Sequence, residues 1–166
     1  MVAPAPAATV VFSGTMSGAN EVPLPVPSTA TGSFTAVLDD VEHSLSVDLS
    51  FSGLSSNASA GILHCCASAV ANGPVLRQFT GFPFATSGTY SGKVFGLTNT
   101  EMADIMSGLS YINIHTLALP AGEIRGQLVL AAPGSAPEPG TWLMTIVGLG
   151  LTGAAMRRRL LAVRFA

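Results

Sequence analysis

From residue 44 to 51 the chain reads SLSVDLSF, so that Leu45, Val47, Leu49 and Phe51 alternate with Ser46, Asp48 and Ser50. Successive side chains of a strand point to opposite faces, and this pattern predicts a strand with one buried and one wet face. Further β-like segments occupy 9–12, 32–38, 61–66, 75–79, 89–95, 111–117 and 123–130, with Gly, Ser and Pro between them. Asp39 to His43 forms a polar connection of hairpin length between the second and third segments. Short, regularly spaced strands punctuated in this way favour a sandwich or barrel. The fold is read as all-β, an antiparallel β-sandwich. One segment departs from period two. In LTNTEMADIMSGLS, Thr98 and Glu101 have the spacing of a capping box, and Met102, Ile105, Met106 and Leu109 follow at helical spacing. One short connecting helix, roughly 100–107, is expected there.

Beyond the β-like region the pattern changes. Residues 132–139 (APGSAPEP) make a Pro/Ala linker without core-forming side chains. Residues 140–156 are 17 positions without a charge, followed at once by Arg157, Arg158 and Arg159. This is the lower limit of length for a membrane-spanning helix. The arginines predict a cytoplasmic flank, which puts the body of the protein outside. A buried core helix accounts poorly for a run that follows a linker, ends in three arginines and holds Gly148, Gly150 and Gly153. The organisation read from the sequence is therefore 1–8 as a residual leader or disordered arm, 9–131 as a β-domain, 132–139 as linker and 140–166 as a C-terminal sorting or anchoring segment. In the first part, Ala5-Pro6-Ala7 has the small residues of a leader's end, though no basic n-region precedes them.

Charged residues make up only 10% of the chain, so Ser, Thr, Gly and Asn must cover the surface, which suits an exported β-protein. Up to Ala136 there are three basic residues, Arg77, Lys93 and Arg125, against eight acidic ones, a net charge of −5. Without clustered Lys or Arg, nucleic-acid binding has no support. No nucleophile elbow, Walker loop or dinucleotide fingerprint is present, and a non-enzymatic protein is expected.

Candidate chemistry concentrates late in the body. In YINIHT the isoleucines share one face, leaving Tyr111, Asn113 and His115 on the other. In GEIRGQLVL, Ile124, Leu128 and Leu130 face inward and Glu123, Arg125 and Gln127 outward. Residues 118–122 are short enough to join the two as a hairpin. A polar surface patch of Asn113, Glu123 and Arg125, with His115 beside it, is expected. Cys65 and Cys66 are the only cysteines. Three readings stand: a vicinal disulfide in a distorted turn, two unpaired thiols, or thiolate ligands beside His64. Asp39, Asp40 and Glu42 are read as a solvated turn rather than a Ca²⁺ loop.

Pro137-Glu138-Pro139, then Gly140-Thr141-Trp142, an apolar stretch and the arginine cluster resemble the PEP-CTERM sorting signal. That resemblance covers roughly the last 30 residues, although 160–166 continue past the arginines where such tails usually stop. It implies a Gram-negative bacterium, an exosortase as processing partner, an inner-membrane intermediate, and a destination at the cell surface or outside, near exopolysaccharide or matrix proteins. The body resembles the CHRD domain through SGANEVP (17–23), LHCC (63–66), NIHT (113–116) and PAGEIRGQL (120–128), from about Phe12 to Leu130. The resemblance implies an all-β domain without an established enzymatic activity. Family members often carry His-x-His before the central segment. Here Ile62 stands at the first of those positions and His64 at the second. A copper or zinc site drawing on His64 and His115 is the alternative reading, set against two hydrogen-bonded edge histidines.

Overall fold

Nine strands and one helix carry the chain from Thr9 to Leu130 in a computed structural model that describes residues 9–131. The strands are β1 (Thr9–Ser17), β2 (Thr31–Asp39), β3 (Ser44–Ser52), β4 (Ala58–His64), β5 (Val75–Gln78), β6 (Gly88–Phe95), β7 (Tyr111–Thr116), β8 (Ile124–Gln127) and β9 (Val129–Leu130). The helix α1 spans Asn99–Met106, and a 3₁₀ turn covers Gly18–Asn20. The chain divides into two units, Met1–Ala131 and Ala132–Ala166, and the described residues belong to the first. The expectations for 1–8, the linker, the apolar span, Pro137–Pro139 and Arg157–Arg159 lie outside the described residues. Among the described residues no helix is long and apolar enough to cross a membrane.

The alternating segment behaves as its pattern requires. In β3, Leu45, Val47, Leu49 and Phe51 are buried while Asp48 and Ser50 are exposed. Its antiparallel partner β2 buries Phe34, Ala36 and Leu38 on the same side. The connection between them closes because Asp39 Oδ1 accepts from the Val41 and Glu42 amides at 3.0 and 2.8 Å, and His43 takes a left-handed φ of 53°. The helix is fixed by the capping box foreseen: Glu101 N donates to Thr98 Oγ1 at 3.2 Å and Thr98 N donates to Glu101 Oε2 at 2.7 Å. Met102 and Ile105 enter the core, but Met106, on the expected apolar stripe, is exposed.

The sandwich expectation needs correction. The strands form one antiparallel sheet in the order β5-β4-β7-β8-β1-β2-β3-β6, with β9 also paired to β1. A single core of Phe12, Met16, Phe34, Leu45, Ile112, Ile114 and their neighbours fills it. Its two edge strands face each other through side chains: Arg77 of β5 donates to Gly96 O at 3.1 Å, and Phe79 stacks on Tyr90 of β6 at 5.0 Å. The sheet is thus nearly closed, its two terminal strands meeting through side chains rather than a backbone ladder. The segment 123–130 is also two strands rather than one. β8 meets β1 at Ser17↔Arg125, and β9 meets it at Phe12 and Ser13. Between them Leu128 turns fully into the core, and its amide continues the β7–β8 register by donating to Ser110 O at 2.9 Å. Gly126 permits this crossing, because a Cβ there would sit 2.6 Å from Thr15 O.

Candidate functional site

β7 and β8 pair as an antiparallel hairpin, with Asn113 opposite Arg125 and Tyr111 opposite Gln127. Ile112, Ile114 and Ile124 face the core, so Tyr111, Asn113 and Arg125 do share the opposite face. That face is not surface. Asn113 is 4% exposed, Arg125 1% and Glu123 0%, and the expected solvent patch is corrected to a buried polar layer. Two loops roof it. Arg125 stacks on the Tyr111 ring with the guanidinium carbon 3.5 Å from the centroid, and its nitrogens donate to Asn72 Oδ1, Ser68 O and Ala71 O at 3.1, 3.3 and 2.9 Å. Loop 65–74 is thereby pulled down over the sheet. Asn72 Nδ2 reaches Val22 O at 3.0 Å, and Asn20 Nδ2 reaches Arg125 O at 3.0 Å, so the loop after β1 closes the other side.

Glu123 separates from this group. Gly122, with φ of 130°, turns the chain just before it, and the carboxylate joins Thr116 on the other side of β7. Four donors saturate it: Ser28 Oγ and Ser55 N on Oε1 at 2.7 and 2.8 Å, Ser55 Oγ and Thr116 Oγ1 on Oε2 at 2.7 and 2.9 Å. Burial pushes its pKa up, but these bonds outweigh burial and hold it below the ordinary carboxylate value. Glu21 shows the reverse balance. It is 5% exposed and accepts one bond, from Asn113 Nδ2 at 3.2 Å, while its Oε1 is buried without a partner. Burial raises its pKa to about 7 against the opposing pull of Asn113 and the Arg125 charge. Glu21 and Arg125 also line a cleft of about 630 Å³ with Gln127, Val22, Ala69 and Val70. Glu21 stands inside the SGANEVP segment, and nothing in its local pattern marks it as buried.

The structure brings His64 and His115 onto this same layer. Their rings lie nearly parallel, 5° apart in plane and 6.1 Å between centroids, and His64 stacks on Tyr111 at 4.7 Å. His64 Nδ1 is 2.9 Å from Gly73 O, and His115 Nδ1 is 2.8 Å from Pro120 O. A carbonyl only accepts, so each Nδ1 carries the proton. Each Nε2 is buried without a partner. Burial lowers the His64 pKa and favours its neutral ring, with the Gly73 carbonyl acting against it and His115 adding to it. In both rings Nδ1 is held by a backbone carbonyl and Nε2 is left without a partner, the orientation seen in metal-binding histidines. Ile62, opposite Asn113, supplies an apolar side chain where a further imidazole would stand.

Cys65 and Cys66 are joined as a vicinal disulfide. The strand expected over 61–66 ends at His64, and Cys66 adopts a left-handed φ of 70°, the distorted turn that adjacent bridged residues require. Asp104 of α1 approaches them, its Oδ2 lying 3.2 Å from Cys66 Sγ. Among the described residues, Cys65, Cys66 and Asp104 are the one triad of His, Cys or acidic donors that meet within 4.8 Å of one another. Sequence spacing gives no hint of Asp104, 38 positions from Cys66.

Two family models match this chain. The CHRD domain covers residues 12–128 and the PEP-CTERM protein-sorting motif covers residues 135–159. No curated protein and no solved structure gives a significant match.

Proposed function

Since the chain belongs to the CHRD domain family and carries a PEP-CTERM protein-sorting motif, we propose that it is a non-enzymatic structural protein of the cell surface or extracellular matrix. The motif indicates export, passage through the membrane and sorting by an exosortase. What supports a structural role for the body is the use made of its two most deeply buried charges. Glu123 and Arg125 direct their side-chain hydrogen bonds at the protein's own loops and strands, joining 28, 55, 68, 71, 72 and 116 to them. Such groups specify a rigid shape rather than meet a substrate. Exopolysaccharide or matrix protein is the partner class that suits this destination.

The test is fractionation of the native host with intact-mass measurement of the mature protein. Loss of the segment from about Pro139 onward, dependent on the exosortase, is expected. A mature form that keeps residues 140–159 in the inner membrane would leave a plain anchor and sink the surface-release reading.

A second reading has one specific observation behind it. His64 and His115 present Nε2 atoms, each buried and unpartnered, on one face, with each Nδ1 held by a backbone carbonyl. This donor chemistry fits copper or zinc, with two imidazoles rather than three because Ile62 fills the neighbouring position. Metal analysis of the purified oxidised chain decides it: stoichiometric copper or zinc lost in His64→Ala and His115→Ala supports this reading, and a metal-free chain excludes it.

A further inference from the structure

The geometry points to a second, redox-gated site: we propose that reduction of the Cys65–Cys66 bridge opens a binding site for a thiophilic d¹⁰ ion, Zn²⁺ or Cu⁺, with Asp104 as the third ligand. In the oxidised protein Asp104 Oδ2 lies 3.2 Å from Cys66 Sγ. A disulfide sulfur has no proton to donate, so this carboxylate is held against a group that gives it no hydrogen bond. A thiol would supply one, and a metal ion shared with the sulfurs would supply more. The three donor atoms already lie within 4.8 Å of one another, so ligation needs side-chain adjustment rather than refolding.

Both halves of the site are positioned without help from the disulfide. On one side the β4–β7 ladder runs up to His64, Cys65 N donates to Pro74 O at 3.2 Å, and Ala67 N donates to Leu109 O at 3.0 Å. On the other, α1 is fixed by its capping box and by Met102 and Ile105 in the core. Preorganisation of this kind is what a ligand set needs. Cys66 is exposed and Cys65 is 1% exposed, so an attacking thiolate reaches the outer sulfur first.

The chemistry balances with an external dithiol as reductant. One of its thiolates attacks Cys66 Sγ, the S–S bond breaks, and Cys65 leaves as thiolate in a mixed disulfide. The second thiol of the reagent then displaces Cys66, and the reagent departs as its own disulfide. Two electrons pass to the protein, and two protons complete the free thiols. Binding Zn²⁺ or Cu⁺ releases those protons again, because thiolates are the ligands. Thiolates select such ions over Mg²⁺ or Ca²⁺, and three protein ligands leave a fourth position open. In the oxidising environment of an exported protein the bridge is the resting state, so the site is closed until a reductant arrives.

The test titrates the purified full chain with Zn²⁺ against a chromophoric chelator under anaerobic conditions, before and after treatment with a dithiol that is then removed. One equivalent bound by the reduced chain and none by the oxidised chain is expected at this site, with Co²⁺ giving a thiolate-to-cobalt charge-transfer band. Cys66→Ser should abolish binding and Asp104→Asn should weaken it by about tenfold or more, while His64→Ala and His115→Ala leave it unchanged. Circular dichroism checks that each variant is folded. If the cysteine variant fails that check, Asp104→Asn, on the helix surface, decides alone. Absence of stoichiometric binding in the reduced chain overturns the proposal. So does binding that survives Cys66→Ser with the fold intact, or affinity unchanged in Asp104→Asn. Metal held by the oxidised chain and lost in the histidine variants belongs to the imidazole pair instead.

Discussion

Glu21 and Glu123 are both buried glutamates, yet the protein moves their pKa values in opposite directions. Glu123 receives four hydrogen bonds, whereas Glu21 receives one and keeps a buried oxygen unpartnered. For Glu21 the folded-state value of about 7 lies above the ordinary glutamate value of 4.5, so the folded state binds the proton more tightly than the unfolded chain. Stability is therefore highest below about pH 4.5 as far as this group is concerned, and falls as pH rises toward 7. The span corresponds to roughly 3 kcal/mol at most. Urea denaturation between pH 4.5 and 8 should show this decline, and Glu21→Gln should flatten it. Glu123 works the other way. Its depressed folded-state pKa contributes stability at neutral pH that is lost as pH falls through that value. Glu123→Gln puts an amide donor against donors already in place, and should lower unfolding free energy by roughly 2 kcal/mol or more at pH 7. A variant as stable as the parent would remove Glu123 from its place as a strut.

At the scale of elements, local code and tertiary placement divide cleanly. The α1 boundary was legible because a capping box is a contact over three residues, and Thr98→Ala should cost about 1 kcal/mol in thermal or urea unfolding. β3 was legible because period two needs only neighbours along the chain. The hairpin of β7 and β8 was legible from a short connection between two alternating segments. The split between β8 and β9 was not, since it depends on β1 crossing at Gly126. Leu128 is in the core as its alternation predicts, but Leu130, expected inward with it, is exposed. The polar face of β7 and β8 was assigned to the correct side of the hairpin and to the wrong environment. Alternation says which way Asn113 and Arg125 point. It does not say that loop 65–74 and the segment after β1 fold back over them.

For the whole molecule, the length of the ladders sets an order of local stability. β1–β2 and β2–β3 each pair over nine residues in continuous register, whereas β5 contributes a short edge strand with a shifted register and β9 pairs through two residues. Native-state hydrogen exchange should accordingly find the slowest amides in β1, β2 and β3 and the fastest in β5 and β9. Equal protection in β5 would show that the two edges of the sheet are joined more firmly than by Arg77 and the Phe79–Tyr90 stack.

The sequence by itself determined the strand pattern, the cap of α1, the family and the sorting motif, because each is written in residues close together along the chain. Whether the sheet lies in two layers or curls on itself, and whether Arg125 meets water or the Tyr111 ring, were decided by tertiary structure. So were the proton on each histidine and the carboxylate beside Cys66. Those outcomes depend on groups brought together across 38, 53 or 105 positions, such as Cys66 with Asp104, Arg125 with Asn72 and Asn20 with Arg125. Periodicity along a chain carries the direction of a side chain, and only the packed fold supplies what it meets there.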